Sequence, residues 1–206
     1  MVYKTLTRAF LIAGLAIGAS FGASAADAPK LKMGASSDML ANTCAGCHGT
    51  DGASSGPAIP TIAGLSNDYF VDMMKGYADG TIPATIMDRI AKGYSEEEIN
   101  LLAKYFIARP FVKAKQDFDP KLVKKGGKLH DKYCEKCHAE GGQSAEDDAG
   151  VMAGQWTPYL IYQFEDFNAG HREAPKKMNK KMKQMMSKEG DAAIDALISY
   201  YASQQK

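Results

Sequence analysis

Ile99, Leu102, Ala103 and Phe106 recur at the i, i+3, i+4, i+7 spacing that lines one face of an α-helix. Ser95 and Glu98 ahead of them form a capping box, in which each side chain satisfies the other's free backbone amide. Arg109-Pro110 closes the run, because the residue before a proline disfavours helical backbone. Ile194, Leu197, Ile198 and Tyr201 repeat the spacing behind Asp191, the expected cap. Further helices are expected from Ser37 to Cys47, roughly from Lys121 to Cys137, and after Asn67-Asp68, where Met73 and Met74 read as core. Gly- and Pro-rich stretches such as Gly52-Ala53-Ser54-Ser55-Gly56-Pro57 separate the apolar runs, and no sustained alternation of period two occurs. The pattern predicts a mostly α fold.

One apolar run is of another kind. Ala9 to Ala19 follows Lys4 and Arg8 and precedes Ala23-Ser24-Ala25, the order of a secretory signal peptide cut before Ala26. It is too short for a comfortable transmembrane helix, and no later stretch qualifies, so an exported chain without a transmembrane anchor is expected. Removal of residues 1–25 takes the formal charge from +1 to about −1, which argues against a nucleic-acid binder by bulk charge.

The chain is also duplicated, at a shift of 90 positions. Gly52 maps to Gly142, Ala63-Gly64 to Ala153-Gly154, Tyr69 to Tyr159 and Gly80 to Gly170. At the last helix the shift becomes 95, so the second copy carries a short insertion between Gly170 and Asp191. The repeat is the size of a small domain. The expected organisation is a signal peptide (1–25), a first domain (26–112), a connecting strap (113–121) and a second domain (122–206).

All four cysteines fall in two copies of Cys-x-x-Cys-His, Cys44-Ala45-Gly46-Cys47-His48 and Cys134-Glu135-Lys136-Cys137-His138. This is the attachment signature of a c-type haem. The two thiols form thioethers to the macrocycle, and the histidine that follows lies under the iron as an axial ligand. Two disulfides or one four-thiolate zinc site would use the cysteines but leave both histidines unexplained. Two covalent haem c groups are therefore expected, each completing the core of a domain too small to bury much apolar surface alone.

The sixth iron position calls for a second ligand, usually methionine in electron-transfer cytochromes. In the first copy Met87 sits between the Gly80 loop and the last helix. In the second, the shift of 90 lands on Lys177, beside Met178, and the shift of 95 lands on Met182. A ligand in the loop before the helix settles favours Met178; His171 is a third option, better suited to a hydrogen bond with a haem propionate or water. Met185 and Met186 belong to the apolar face of a basic helix, and His130 reads as a surface or packing residue. Tyr69, Tyr159 and Trp156 are candidates to hydrogen-bond propionates. Arg172 to Lys188 carries seven basic residues against Glu173, either a solvated face or a docking face for an acidic redox partner.

These residues resemble the tandem dihaem class I cytochromes c, and more closely the dihaem cytochrome subunit of flavocytochrome c sulfide dehydrogenase. The stretches that carry the resemblance include Asn42 to Thr50, Thr85 to Ser95, Lys128 to His138, Ala153 to Leu160 and Tyr201 to Gln205. The resemblance implies two class I cytochrome c domains, each wrapped around one covalent haem. It implies His/Met ligation by His48 with Met87 and by His138 with Met178, the latter in a segment that departs from the family pattern at Ala174-Pro175. It implies a periplasmic complex with an FAD-bearing subunit that oxidises sulfide, with a small soluble cytochrome c as electron acceptor. The chain itself would have no catalytic residue and would only transfer electrons. The alternative is a free-standing periplasmic dihaem carrier feeding a terminal oxidase or reductase.

Overall fold

The computed structural model describes residues 34–146 and 149–206, and the expected signal segment lies outside them. Among the described residues there are nine α-helices, two short 3₁₀ turns and no strand, the mostly helical class that the apolar spacing predicts. They are α1 (Ser37–His48), α2 (Asn67–Asp79), α3 (Met87–Ile90), α4 (Glu96–Ile107), α5 (Pro120–Tyr133), α6 (Ala139–Gly142), α7 (Thr157–Ala169), α8 (Lys176–Glu189) and α9 (Ala192–Ser203). No described helix is long and apolar enough to cross a membrane.

Two apolar clusters lie inside the compact unit Ala35–Lys206. The first gathers Leu40 and Ala41 of α1, Phe70, Val71 and Met74 of α2, and the four spaced residues of α4. The capping box of α4 closes as expected, with Glu98 N donating to Ser95 Oγ at 3.3 Å and Ser95 N to Glu98 Oε2 at 2.8 Å. Burial of a ring such as Phe106 contributes roughly 1.5–3 kcal/mol, so this face, more than the cap, holds the helix in place. Met73 is not core: it is half-buried on α2, where its sulfur accepts from Arg172 Nη2 at 3.1 Å.

The second cluster joins Leu129 and Tyr133 of α5, Leu160 of α7, Met185 of α8, and Leu197 and Tyr201 of α9. Here the sequence pattern needs correcting. Ile194 and Ile198 are only half-buried, and Ala193 and Ala196 are fully buried in their stead. The reason is the closeness of α5: a Cβ on Gly126 would stand 2.0 Å from the Ala196 carbonyl oxygen, so only small residues fit the crossing. Asp191 starts α9 but its side chain does not cap it. The amides it would serve are already accepted by backbone, Ala193 N by Gly190 O at 3.0 Å and Ile194 N by Asp191 O at 2.9 Å.

The 90-residue repeat is visible bond by bond. Gly52 O accepts from Ile62 N and Ala63 N, and Gly142 O accepts from Met152 N and Ala153 N. Gly64 N donates to Phe106 O at 3.0 Å, and Gly154 N to Tyr201 O at 2.9 Å. Gly52 and Gly142 have φ of 79° and 87°, and a Cβ there would stand 2.8 Å from Phe106 Cδ1 and 3.1 Å from Tyr201 Cε1. Both the backbone and the neighbouring ring thus require glycine. Between the copies, residues 111–119 lie against both: Val112 O accepts from Thr61 Oγ1 at 3.4 Å, Ala114 N donates to Gly154 O at 2.7 Å, and Gln116 bonds Gln155 O and Thr157 N.

The copies differ in two elements. Helix α5 stops at Tyr133 instead of running on to Cys137, because His130 O accepts from both Cys134 N (2.7 Å) and Glu135 N (2.9 Å), which widens the turn and ends the regular ladder. Where the first copy has the four-residue α3 and a 3₁₀ turn, the second has the fourteen-residue α8. Pro175 sets its start, with Asn179 N donating to Pro175 O at 2.9 Å, and the Lys, Met and Gln residues that follow are good helix formers. Met178 is therefore in the first turn of a helix and not in a preceding loop.

Candidate haem sites

The first motif occupies the last turn of α1. Gly49, with φ 75°, ends the helix and returns its amide to Ala45 O at 3.0 Å. His48 Nδ1 lies 2.8 Å from Pro60 O. A carbonyl only accepts, so Nδ1 carries the hydrogen and Nε2 is left with its lone pair. Burial pushes the His48 pKa down, against the opposing pull of the Pro60 carbonyl, which keeps the ring neutral. Cys44 is half-buried against the first apolar cluster and Cys47 is exposed. Met87, at the start of α3, borders that same cluster.

The second motif lies on turns beyond α5, with Cys137 N and His138 N both donating to Cys134 O at 3.0 Å. His138 Nδ1 meets Gly150 O at 3.2 Å, the counterpart of Pro60 at the shift of 90, and burial lowers this histidine's pKa too. Burial pushes the Cys134 thiol up to about 11.

A polar cluster stands behind this second motif and has no equivalent in the first. His130 is fully buried, not a surface residue. Its Nδ1 lies 2.9 Å from the Tyr201 hydroxyl and its Nε2 2.6 Å from Glu135 Oε2. Glu135 also accepts the amides of Glu140 and Gly141, each at 3.1 Å. Burial raises the Glu135 pKa, but the bonds from His130 and from the two amides outweigh it, and the net value lies below the ordinary one. Burial drives the Tyr201 phenol well above its usual value. The first copy has Leu40, Ala45 and Phe106 at these places. The signal in sequence is the exchange of three apolar residues for three polar ones at matched positions of the repeat, two at the shift of 90 and one at 95.

Arg172 joins the copies. It bonds Met73 and Gln163 and sits over the Phe167 ring with its Cζ 4.6 Å from the centroid. Tyr69, Tyr77 and Tyr159 face it; burial pushes the Tyr77 phenol up to about 12 and raises the Tyr159 phenol well above its usual value. The Trp156 indole donates to Ser54 O at 3.0 Å, so its hydrogen is engaged in a link between the copies. His171 is largely exposed beside Asp166, at 3.7 Å. On α8, Met178, Met182 and Met185 follow at i, i+4, i+7 and so share a face; Met185 is buried, as expected for the apolar face, and the other two are half-buried.

The donor set fits covalent haem. The cysteines stand as two separate pairs, each followed by a neutral imidazole whose Nδ1–H is tied to backbone and whose Nε2 is bare. A metal-ligating histidine requires that arrangement.

A helical chain with two such Cys-x-x-Cys-His sites is an electron-transfer cytochrome of the c type, with two covalent haem c groups. It belongs to the cytochrome c family: residues 35–106 match the Cytochrome c family profile. The chain is 43% identical over 88 residues to the cytochrome subunit of sulfide dehydrogenase from Chlorobaculum tepidum, covering 43% of this chain and 79% of that one. It is 31% identical to cytochrome c4 of Azotobacter vinelandii, over 78% of this chain and 83% of the relative. The solved structure of reduced cytochrome c4 from Pseudomonas stutzeri superposes with a TM-score of 0.68 at 24% identity, over 82% of this chain and 98% of that one, and shares the fold.

Proposed function

We propose that this chain is the dihaem subunit of a periplasmic sulfide-oxidising flavocytochrome. It takes electrons one at a time from an FAD-bearing sulfide dehydrogenase subunit and passes them to a small soluble cytochrome c. The observation that carries this reading is the 43% identity to a protein named as the cytochrome subunit of sulfide dehydrogenase. The bound haems supply reversible one-electron chemistry at iron. The chain's own residues would hold and orient them: Cys44 with Cys47 and Cys134 with Cys137 would anchor, His48 and His138 would offer Nε2, and Met87 and Met178 would offer thioethers. If His48 with Met87 and His138 with Met178 held both irons, no substrate site would be left on either, and bond-making would fall to the partner. The six lysines of α8, all exposed, suit an acidic face on a redox partner.

The test is to isolate the protein from its native periplasm, assay the fraction for flavin, and follow haem reduction on adding sulfide. An FAD partner with sulfide-driven reduction is the expected result. A flavin-free dihaem protein that sulfide does not reduce would overturn the reading and leave a free-standing carrier.

A further inference from the structure

Gln155 belongs to the second copy and is 2% exposed, yet its side-chain amide engages one residue of the first copy at both ends. Thr61 N donates to Gln155 Oε1 at 2.9 Å, and Gln155 Nε2 donates to Thr61 O at 3.0 Å. Thr61, 1% exposed, is further fixed through its hydroxyl, which donates to Val112 O at 3.4 Å and accepts from Ser54 N at 3.3 Å. The Thr61 N–H and the Pro60 carbonyl are the two ends of a single planar peptide group. That carbonyl is the acceptor of His48 Nδ1 at 2.8 Å. A continuous line of hydrogen bonds therefore runs from His48, through the Pro60–Thr61 peptide, to a glutamine in the other copy.

Two physical effects act along this line. Gln155 fixes the plane of the peptide and so the direction in which the Pro60 oxygen points. By accepting from the N–H it also polarises the peptide, which strengthens the carbonyl as an acceptor. A stronger bond at Nδ1 makes the imidazole a better electron donor at Nε2. The second copy provides an internal comparison. Leu65 stands where Gln155 would be and Val151 where Thr61 would be, so no amide can grip the Gly150–Val151 peptide in the same way. There the histidine-to-carbonyl distance is 3.2 Å instead of 2.8 Å.

We infer that Gln155 is a positioning residue for the first iron site: a side chain of the second copy sets, through the Pro60–Thr61 peptide, how much electron density His48 gives to the first iron. The inference rests on His48 being an axial ligand.

The experiment uses the holoprotein, with the two haems followed separately in a spectroelectrochemical titration, and ¹⁵N-histidine NMR of the reduced state to read the His48 Nδ1 proton. Gln155→Met removes the grip while conserving length. The expected result is a rise in the first potential equal to about a tenfold change in its reduction equilibrium, 59 mV for one electron. The second haem should hold its potential, and the His48 proton signal should move upfield as its bond weakens. Gln155→Asn, whose amide reaches one carbon less far, should move the first potential the same way by less, and serves where the Met variant does not accumulate. His48→Ala separates the two ways of failing. If it leaves both haems low-spin and six-coordinate, the ligand assignment is wrong. If it removes one low-spin signature while Gln155→Met and Gln155→Asn leave both potentials and the His48 proton unmoved, the ligand stands and the role of Gln155 is overturned. Equal shifts at both haems would also overturn it, as the mark of a general loosening.

Discussion

His130 Nε2 lies 2.6 Å from Glu135 Oε2, and this contact ties the buried end of α5 to the second attachment motif. With Tyr201 the pair replaces Leu40, Ala45 and Phe106 of the first copy. Leaving a buried polar group without its partner costs roughly 1–3 kcal/mol, whereas exchanging a whole bonded set for apolar residues of matching shape is close to neutral. His130→Leu alone should therefore destabilise the holoprotein by about 1–3 kcal/mol. The triple variant His130→Leu, Glu135→Ala, Tyr201→Phe should recover most of that loss. Denaturant titration of the three singles and the triple reads the non-additivity.

The same cluster gives the fold an acid-sensitive element. Glu135 gives up its proton more easily folded than unfolded, so its ionised form adds stability above its ordinary value, roughly 4.3. That contribution disappears as the pH falls through the lower folded value. Wild type should lose stability more steeply than Glu135→Gln below about pH 4.3. Melting curves at a series of pH values would expose the difference, and parallel curves would remove Glu135 from the account.

Two neighbouring glycines on α5 should respond with opposite sign. A Cβ at Gly126 meets the Ala196 carbonyl oxygen at 2.0 Å, which is backbone and cannot give way without moving α9. Gly126→Ala should cost about 1–3 kcal/mol or more as overpacking. At Gly127 the nearest atom is Tyr200 Cε2 at 3.3 Å, the far end of a side chain that can turn aside. Gly127→Ala should be neutral or gain up to about 1 kcal/mol from helix propensity. Thermal melts of the two variants, made side by side, decide it.

Met178 and Met182 lie one turn apart on one face of α8, so substitution must separate them. Met178→Ala should abolish the methionine–iron charge-transfer absorption of one haem, and Met182→Ala should leave both intact. The reverse outcome would transfer the ligand role to Met182. Met87→Ala should remove the band of the other haem.

Much of the scaffold was legible because it is written twice. The four spaced residues of α4 are buried as predicted, and the register of 90 carries through to paired backbone bonds such as Gly64 N to Phe106 O and Gly154 N to Tyr201 O. The departures have local causes. Periodicity marks which face of α9 is apolar but not how near its neighbour comes, and it was the Gly126 crossing that drew Ala193 and Ala196 inward past Ile194 and Ile198. Asp191 had the chemistry of a cap but not the backbone angles, since the end of α8 had already supplied acceptors. The bonded roles of His130 and Gln155 were not legible because their partners, Tyr201 and Thr61, are 71 and 94 residues away in sequence. A polar residue read singly gives no sign of so distant a partner. Comparing the two copies position by position does, because Leu40 and Leu65 mark where the polar residues are extra.

Helix α8 has a consequence for the chain as an electrical object. The full sequence has a formal net charge of only +1, while α8 concentrates six exposed lysines on fourteen residues with a single glutamate at its far end. Its far field is therefore weak while the field close to α8 is strongly positive. An encounter with an acidic surface is then steered by the side it approaches, with α8 the side that attracts it.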